Sequence, residues 1–155
     1  MGASIAREED PAARRRLLED LTARLPEWFG QPQSNRHYAE QAEILDAWTA
    51  RTGGSARGLL LLKKHSAVSA EIYWLGVDPD HHRQGLGRAL VGAVEGWLRQ
   101  ERLKYLFVMT LHPDDPYEPY RRTRAFYERL GFELVLTRDA RGASPNPLAY
   151  YLKPL

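Results

Sequence analysis

The chain has no cysteine among its 155 residues, which removes disulfide bridges from the possible sources of stability and a thiol from the possible catalytic nucleophiles. Nothing in it therefore calls for an oxidising compartment. No apolar run approaches the ~20 residues that span a bilayer. The opening residues, MGASIAREED, lack the apolar segment of a secretory leader, and the expectation is a cytoplasmic protein with no membrane partner. An excess of charge is also missing. Against 22 Lys and Arg stand 20 Asp and Glu, a formal net of +2, too small a surplus to point to nucleic acid even at a sequence pI of 9.0. His81 and His82 are adjacent and ill placed to share one metal ion, and no other ligand spacing occurs, so no metal is expected. Internal repeats and long linkers are absent as well. A single domain over residues 1–155 is expected, large enough to bury about two-thirds of its surface.

What is present is a loop with chemistry in it. Val77–Leu90, VDPDHHRQGLGRAL, follows the hydrophobic run AEIYWLGV and opens a long amphipathic segment, which reads as strand, tight glycine loop and helix. Such a loop aims unpaired backbone N–H groups at one point, and Gly85 and Gly87 have no Cβ to keep a ligand's oxygens away. The positive end of the helix dipole, with Arg83 and Arg88 on either side, makes a phosphate or pyrophosphate the natural guest. The spacing is neither that of a dinucleotide fingerprint, which needs a third glycine where Leu90 stands, nor that of a P-loop, which needs Gly-Lys-Ser/Thr.

The segment resembles motif A of the GNAT superfamily of N-acetyltransferases, Val-x-Pro-x-x-Gln/Arg-x-x-Gly-x-Gly/Ala, with Val77, Pro79, Gly85 and Gly87 in place and His82 at the Gln/Arg position. Downstream, Thr123–Phe132 (TRAFYERLGF) is similar to the family's motif B, in the right order. The two matches and the strands around them cover roughly Arg57 to the end, and Leu25–Gly30 (LPEWFG) looks like a segment that some bacterial members carry ahead of the core. The resemblance implies acetyl-CoA as cosubstrate, held by Arg83, Gln84, Gly85, Leu86, Gly87, Arg88 and Ala89 and by the strand edge at Leu75 and Val77. It also admits a homodimer. A primary amine of a small molecule is the expected acceptor. A protein lysine or N-terminal amine, another acyl-CoA, or a CoA-binding regulatory module without catalysis remain open alternatives.

Periodicity and punctuation give the elements. Helices are expected at Pro11–Arg24, with Asp10 as N-cap, at Asn35–Glu43, Gly85–Gln100 and Tyr120–Leu130, the last ended by Gly131. Arg14–Arg16 reads as an exposed face of the first. Strands are expected at Ile44–Arg51, Gly58–His65, Ser69–Val77, Lys104–Leu111, Phe132–Thr137 and Leu148–Leu152. The fold class is mixed α/β, a mostly antiparallel GNAT-type sheet of about six to seven strands flanked by about four helices.

Acetyl transfer to an amine asks little of a protein. It must hold the thioester beside a neutral amine, stabilise a tetrahedral oxyanion and help a thiolate leave. An alkylamine of pKa near 10.4 must first lose a proton, at a cost of about 4–5 kcal/mol at pH 7. Glu71 is the candidate base: strand alternation places it with Tyr73 on one face and Ile72 with Trp74 on the other, and the run resembles the strand of the histone-acetylating branch, whose base is this glutamate. An edge carboxylate satisfied by Arg or Tyr is the alternative. His112, at the end of the next strand, is the rival base, or a solvated loop histidine. Tyr127 stands four residues before Gly131, where the family places the tyrosine that donates a proton to the departing thiolate; packing beside Phe126 is its plainer role. Arg121, Arg122 and Arg124 are candidates for the cofactor's 3′-phosphate or a solvated helix face. Trp28 and Phe29 fall where the family builds its acceptor site.

Overall fold

The computed structural model describes residues 2–138 and 147–155. Their order is β1 (Ser4–Arg7), α1 (Pro11–Arg24), α2 (Pro32–Ala42), β2 (Asp46–Thr52), β3 (Ser55–Lys64), β4 (Ser69–Val77), α3 (Leu86–Gln100), β5 (Tyr105–Leu111), α4 (Glu118–Arg129), β6 (Glu133–Arg138) and β7 (Leu148–Pro154). The strands form one seven-stranded sheet in the order β1-β2-β3-β4-β5-β7-β6. Every pairing is antiparallel except β4 with β5, where α3 carries the chain back to the same end of the sheet. No helix among the described residues is long and apolar enough to cross a membrane.

Four consecutive leucines, Leu59–Leu62, show why the sheet is covered on both faces. Leu60 and Leu62 pack with Leu90, Val94 and Leu98 of α3, while Leu59 and Leu61 pack with Leu18 and Leu21 of α1 and Ala42 of α2. Asp10 caps α1, its carboxylate accepting from the Ala12 N–H at 3.0 Å, ahead of Pro11 at the first helical position. Arg14 is not on an exposed face as expected; it is 8 % exposed and donates to the carbonyls of Glu8 and Glu43, tying α1 to the segment before it and to the end of α2. Two helices begin earlier than the pattern indicates, α2 at Pro32 and α4 at Glu118, and β2 begins only at Asp46 because Ile44 stands in solvent.

One irregularity shapes the rest. Leu61 pairs with Trp74 but Leu62 pairs with Ile72, so Tyr73 is an extra residue in β4, a β-bulge. The bulge reverses the side-chain parity, sending Ile72 to the core under α3 and Trp74 to the core under α1 and α2. Ile72 and Trp74 therefore do not share a face, whereas Glu71 and Tyr73 do. Beside the bulge the strands part: β4 and β5 pair only at Ser69–Glu71 against Tyr105–Phe107. Beyond them the sheet opens.

Candidate active site

A cavity of about 750 Å³ occupies the opening, lined by Ile72–Val77 of β4, by Val108, Met109 and Thr110 of β5, and by residues from α4, the α1–α2 loop and the start of α3. The β4 edge facing it is unpaired backbone, free to bond an extended ligand.

The loop between β4 and α3 is pinned by Asp78, 2 % exposed, which accepts from the Asp80 N–H at 2.9 Å, from Arg57 at 3.2 Å and from Arg24. Arg24 also reaches Asp80 at 2.7 Å. Burial pushes the Asp78 carboxyl up, but the Asp80 N–H and the Arg24 guanidinium outweigh it and hold the group below its ordinary value. The stability this supplies is complete above about pH 4 and is lost as pH falls through the lower native pKa. Asp78→Asn should lower stability by about 1–3 kcal/mol at pH 7 and flatten that acid limb. Urea unfolding from pH 3 to 7 reads both; an unshifted midpoint would remove Asp78 from this role.

His82 donates from Nε2 to the Val77 carbonyl at 2.8 Å and so braces the loop. Arg83 and Gly85 both take positive φ, 63° and 79°. Gly85 caps α3 with no side-chain bond, and the first helical bond runs from the Ala89 N–H to the Gly85 carbonyl at 2.9 Å. The N–H groups of Leu86, Gly87 and Arg88 thus have no helical partner, and all three residues line the cavity with Arg83 and Gly85. A Cβ built on Gly85 meets nothing within 4 Å, leaving room for a phosphate. Gly87 differs from expectation: a Cβ there comes within 3.1 Å of the Phe126 ring, so its smallness serves the packing of α3 on α4. Ala89, its N–H already engaged, is not a free donor, and neither it nor Gln84 lines the cavity, whereas Leu75 and Val77 do.

Tyr127 lines the same cavity from α4 at 4 % exposure, its ring edge-on to Phe126 and Phe132 at 5.1 and 5.3 Å. Gly131, at φ 93°, turns the chain so that Phe132 reaches that position. Burial pushes the hydroxyl well above an ordinary phenol, so it stays protonated at every working pH. Neither candidate base lines the cavity. Glu71 bonds His65 at 2.7 Å, while its neighbour Tyr73 lines the cavity. Burial, with the Tyr38 hydroxyl and the Glu71 charge adding to it, pushes Tyr73 up to about 12. His112 accepts the Asp114 N–H at Nδ1, 3.1 Å away, and shapes its own turn.

Sequence reasoning did not find the strap across the cavity. Trp28 donates from Nε1 to the Pro119 carbonyl at 3.0 Å and the Thr123 hydroxyl at 3.1 Å, and Tyr120 donates to the Trp28 carbonyl at 2.9 Å. Tyr117 adds a bond to the Glu27 carbonyl at 2.7 Å, and the Arg122 guanidinium lies 5.2 Å from the Trp28 ring centre. Tyr120 and Thr123, which stand where motif B commonly has Asn and Ala, have this fastening as their use. Of the three candidate arginines only Arg122 lines the cavity; Arg124 is buried and donates to the carbonyls of Leu111 and Asp115.

The profile of the Acetyltransferase (GNAT) family matches residues 14–132. A mycothiol acetyltransferase of Salinispora tropica is 45 % identical over 67 residues, 43 % of this chain and 20 % of that protein, so the chain spans a fifth of that relative's length. Among solved structures, a protein of Desulfovibrio desulfuricans assigned to the GNAT family superposes with TM-score 0.84 at 21 % identity over 99 % of both chains. A GNAT acetyltransferase of Elizabethkingia anophelis with acetyl-CoA bound gives 0.73 at 15 % identity, over 99 % of this chain and 98 % of that one. These two share the fold. With the family profile spanning residues 14–132, most of its length, the chain belongs to the GNAT acetyltransferase family.

Proposed function

We propose that the protein moves an acetyl group from acetyl-CoA to the primary amine of a small molecule, by direct attack within a ternary complex. The observation that carries this is the sharing of one cavity by the free amides at the start of α3 and the protonated hydroxyl of Tyr127. The amides of Leu86, Gly87 and Arg88, with Arg83, hold the pyrophosphate; the open β4 edge near Leu75 and Val77 holds the arm that follows it. Acetyl-CoA brings an activated thioester. The amine nitrogen forms its bond to the carbonyl carbon, the C–S bond breaks, and Tyr127 hydrogen-bonds the departing sulfur. Full transfer from a phenol of pKa near 10 to a thiolate near 8.5 is already uphill by about 2 kcal/mol, and burial raises that further. A strong hydrogen bond in the transition state is therefore its contribution. Glu71 takes the amine's proton at one remove, through Tyr73 or water, since it stands behind the cavity wall. The strap from Trp28 to α4 supports a small acceptor by closing a side that an extended peptide needs open, and the relative named for mycothiol points the same way.

The test is thiol release from acetyl-CoA across a panel of amines. Initial-rate lines should intersect, as a ternary complex requires; parallel lines, the mark of an acetylated enzyme, would contradict direct attack. Acetyl-CoA binding with no thiol release for any amine would leave a CoA-binding module instead.

A further inference from the structure

We propose that the acceptor is a monoamine on an aromatic or similarly flat apolar body, bearing no second cationic group; this deepens the reading above and rests on it. The α1–α2 loop, α2 and β4 give the cavity the rings of Trp28, Phe29, Tyr38 and Tyr73. Phe29 stacks on Trp74 at 5.0 Å and meets Tyr38 edge-on at 6.2 Å, and Tyr38 meets Tyr73 edge-on at 5.9 Å. With each ring fixed by the next, an aromatic guest finds its surface already ordered, and little side-chain freedom is lost on binding.

Charge is distributed to the same end. Among the described residues that line the cavity there is no aspartate and no glutamate, while Arg83, Arg88, Arg122 and Arg129 all do. The carboxylates around it are engaged elsewhere: Glu71 with His65, Glu27 with Arg122, Asp78 and Asp80 with Arg24. A second ammonium would lose its hydration with no carboxylate lining the cavity to receive it. The reacting amine meets only the cost of losing its proton, about 4–5 kcal/mol at pH 7, which it must meet in any case to attack. For it, Tyr38 and Tyr73 suffice, both held as neutral phenols by burial and then by charge, with oxygens able to accept an N–H.

The experiment compares phenylethylamine with spermidine, in acetyl-CoA-dependent thiol release and in calorimetric binding to the protein loaded with CoA. Phenylethylamine should show kcat/KM and affinity about tenfold or more above spermidine. Phe29→Leu should cut its kcat/KM about tenfold while acetyl-CoA affinity holds. Spermidine turned over as well or better would overturn the acceptor assignment and leave acetyl transfer standing. If neither amine releases thiol but the CoA-loaded protein prefers phenylethylamine, the pocket assignment stands and transfer falls. Equal binding of both amines, or of neither, overturns the assignment whatever the turnover.

Discussion

Tyr127→Phe should reduce kcat by about 10²–10⁴-fold, the usual range for loss of an acid that acts at the leaving group, while acetyl-CoA affinity and stability stay close to the parent's. Phe126 and Phe132 pack on the Tyr127 side chain ring to ring, in edge-on geometry that a phenylalanine ring keeps. Burial alone accounts for the raised pKa, so the hydroxyl is a donor with its proton always in place and no charged neighbour lost on its removal. The parent's pH–rate profile should accordingly show no ionisation of this tyrosine below about pH 10. Rapid-mix kinetics with a competent amine reads the effect, and a Tyr127→Phe enzyme as fast as the parent would move the proton donor elsewhere.

Gly85→Val should weaken acetyl-CoA binding by about 10²-fold in a protein that still folds. Gly87, the more obvious glycine to alter, is the poorer choice, because a Cβ added there would press on Phe126 and confuse packing with binding. At Gly85 an added Cβ meets no protein atom within 4 Å and stands in the open space beside the cavity, where the proposed function puts the pyrophosphate. The φ of 79° adds about 1–2 kcal/mol of backbone strain, a measurable but survivable loss of stability. Calorimetric titration beside thermal unfolding separates the two. Unchanged affinity in the folded variant would remove the cradle from the cofactor site.

The legible parts of this fold are those whose signal is local. The glycine loop shows because a strand, two glycines and a helix start fall within fourteen letters, and α3 shows because Leu86, Leu90, Val94 and Leu98 recur at helical spacing and are all buried. β1 does not show: SIAR offers one large apolar side chain, Ile5, and exists as a strand only because β2 pairs with it. The bulge at Tyr73 is equally silent, since the unbroken apolar stretch IYWL reads the same whether or not a residue is inserted. The site divides in the same way. Tyr127 and the loop came from motifs, whereas the bonds from Trp28 to Thr123 and from Arg24 to Asp78 join residues 95 and 54 positions apart. A side chain's partner at that distance is chosen by topology.

The position of Arg24–Phe29 gives the two halves of the cavity a common anchor. Arg24 holds the two aspartates that shape the anion cradle, and within a few residues Leu25, Trp28 and Phe29 form the wall of the acceptor side. On the proposed function, ordering of the loop by a phosphate would have that short span as its route to the ring surface an amine would meet. Thermodynamic reciprocity then sets the expected converse: whatever factor acetyl-CoA adds to acceptor affinity, the acceptor adds to acetyl-CoA affinity. Synergy between the two substrates, if titration finds it, is expected to weaken when this span is altered.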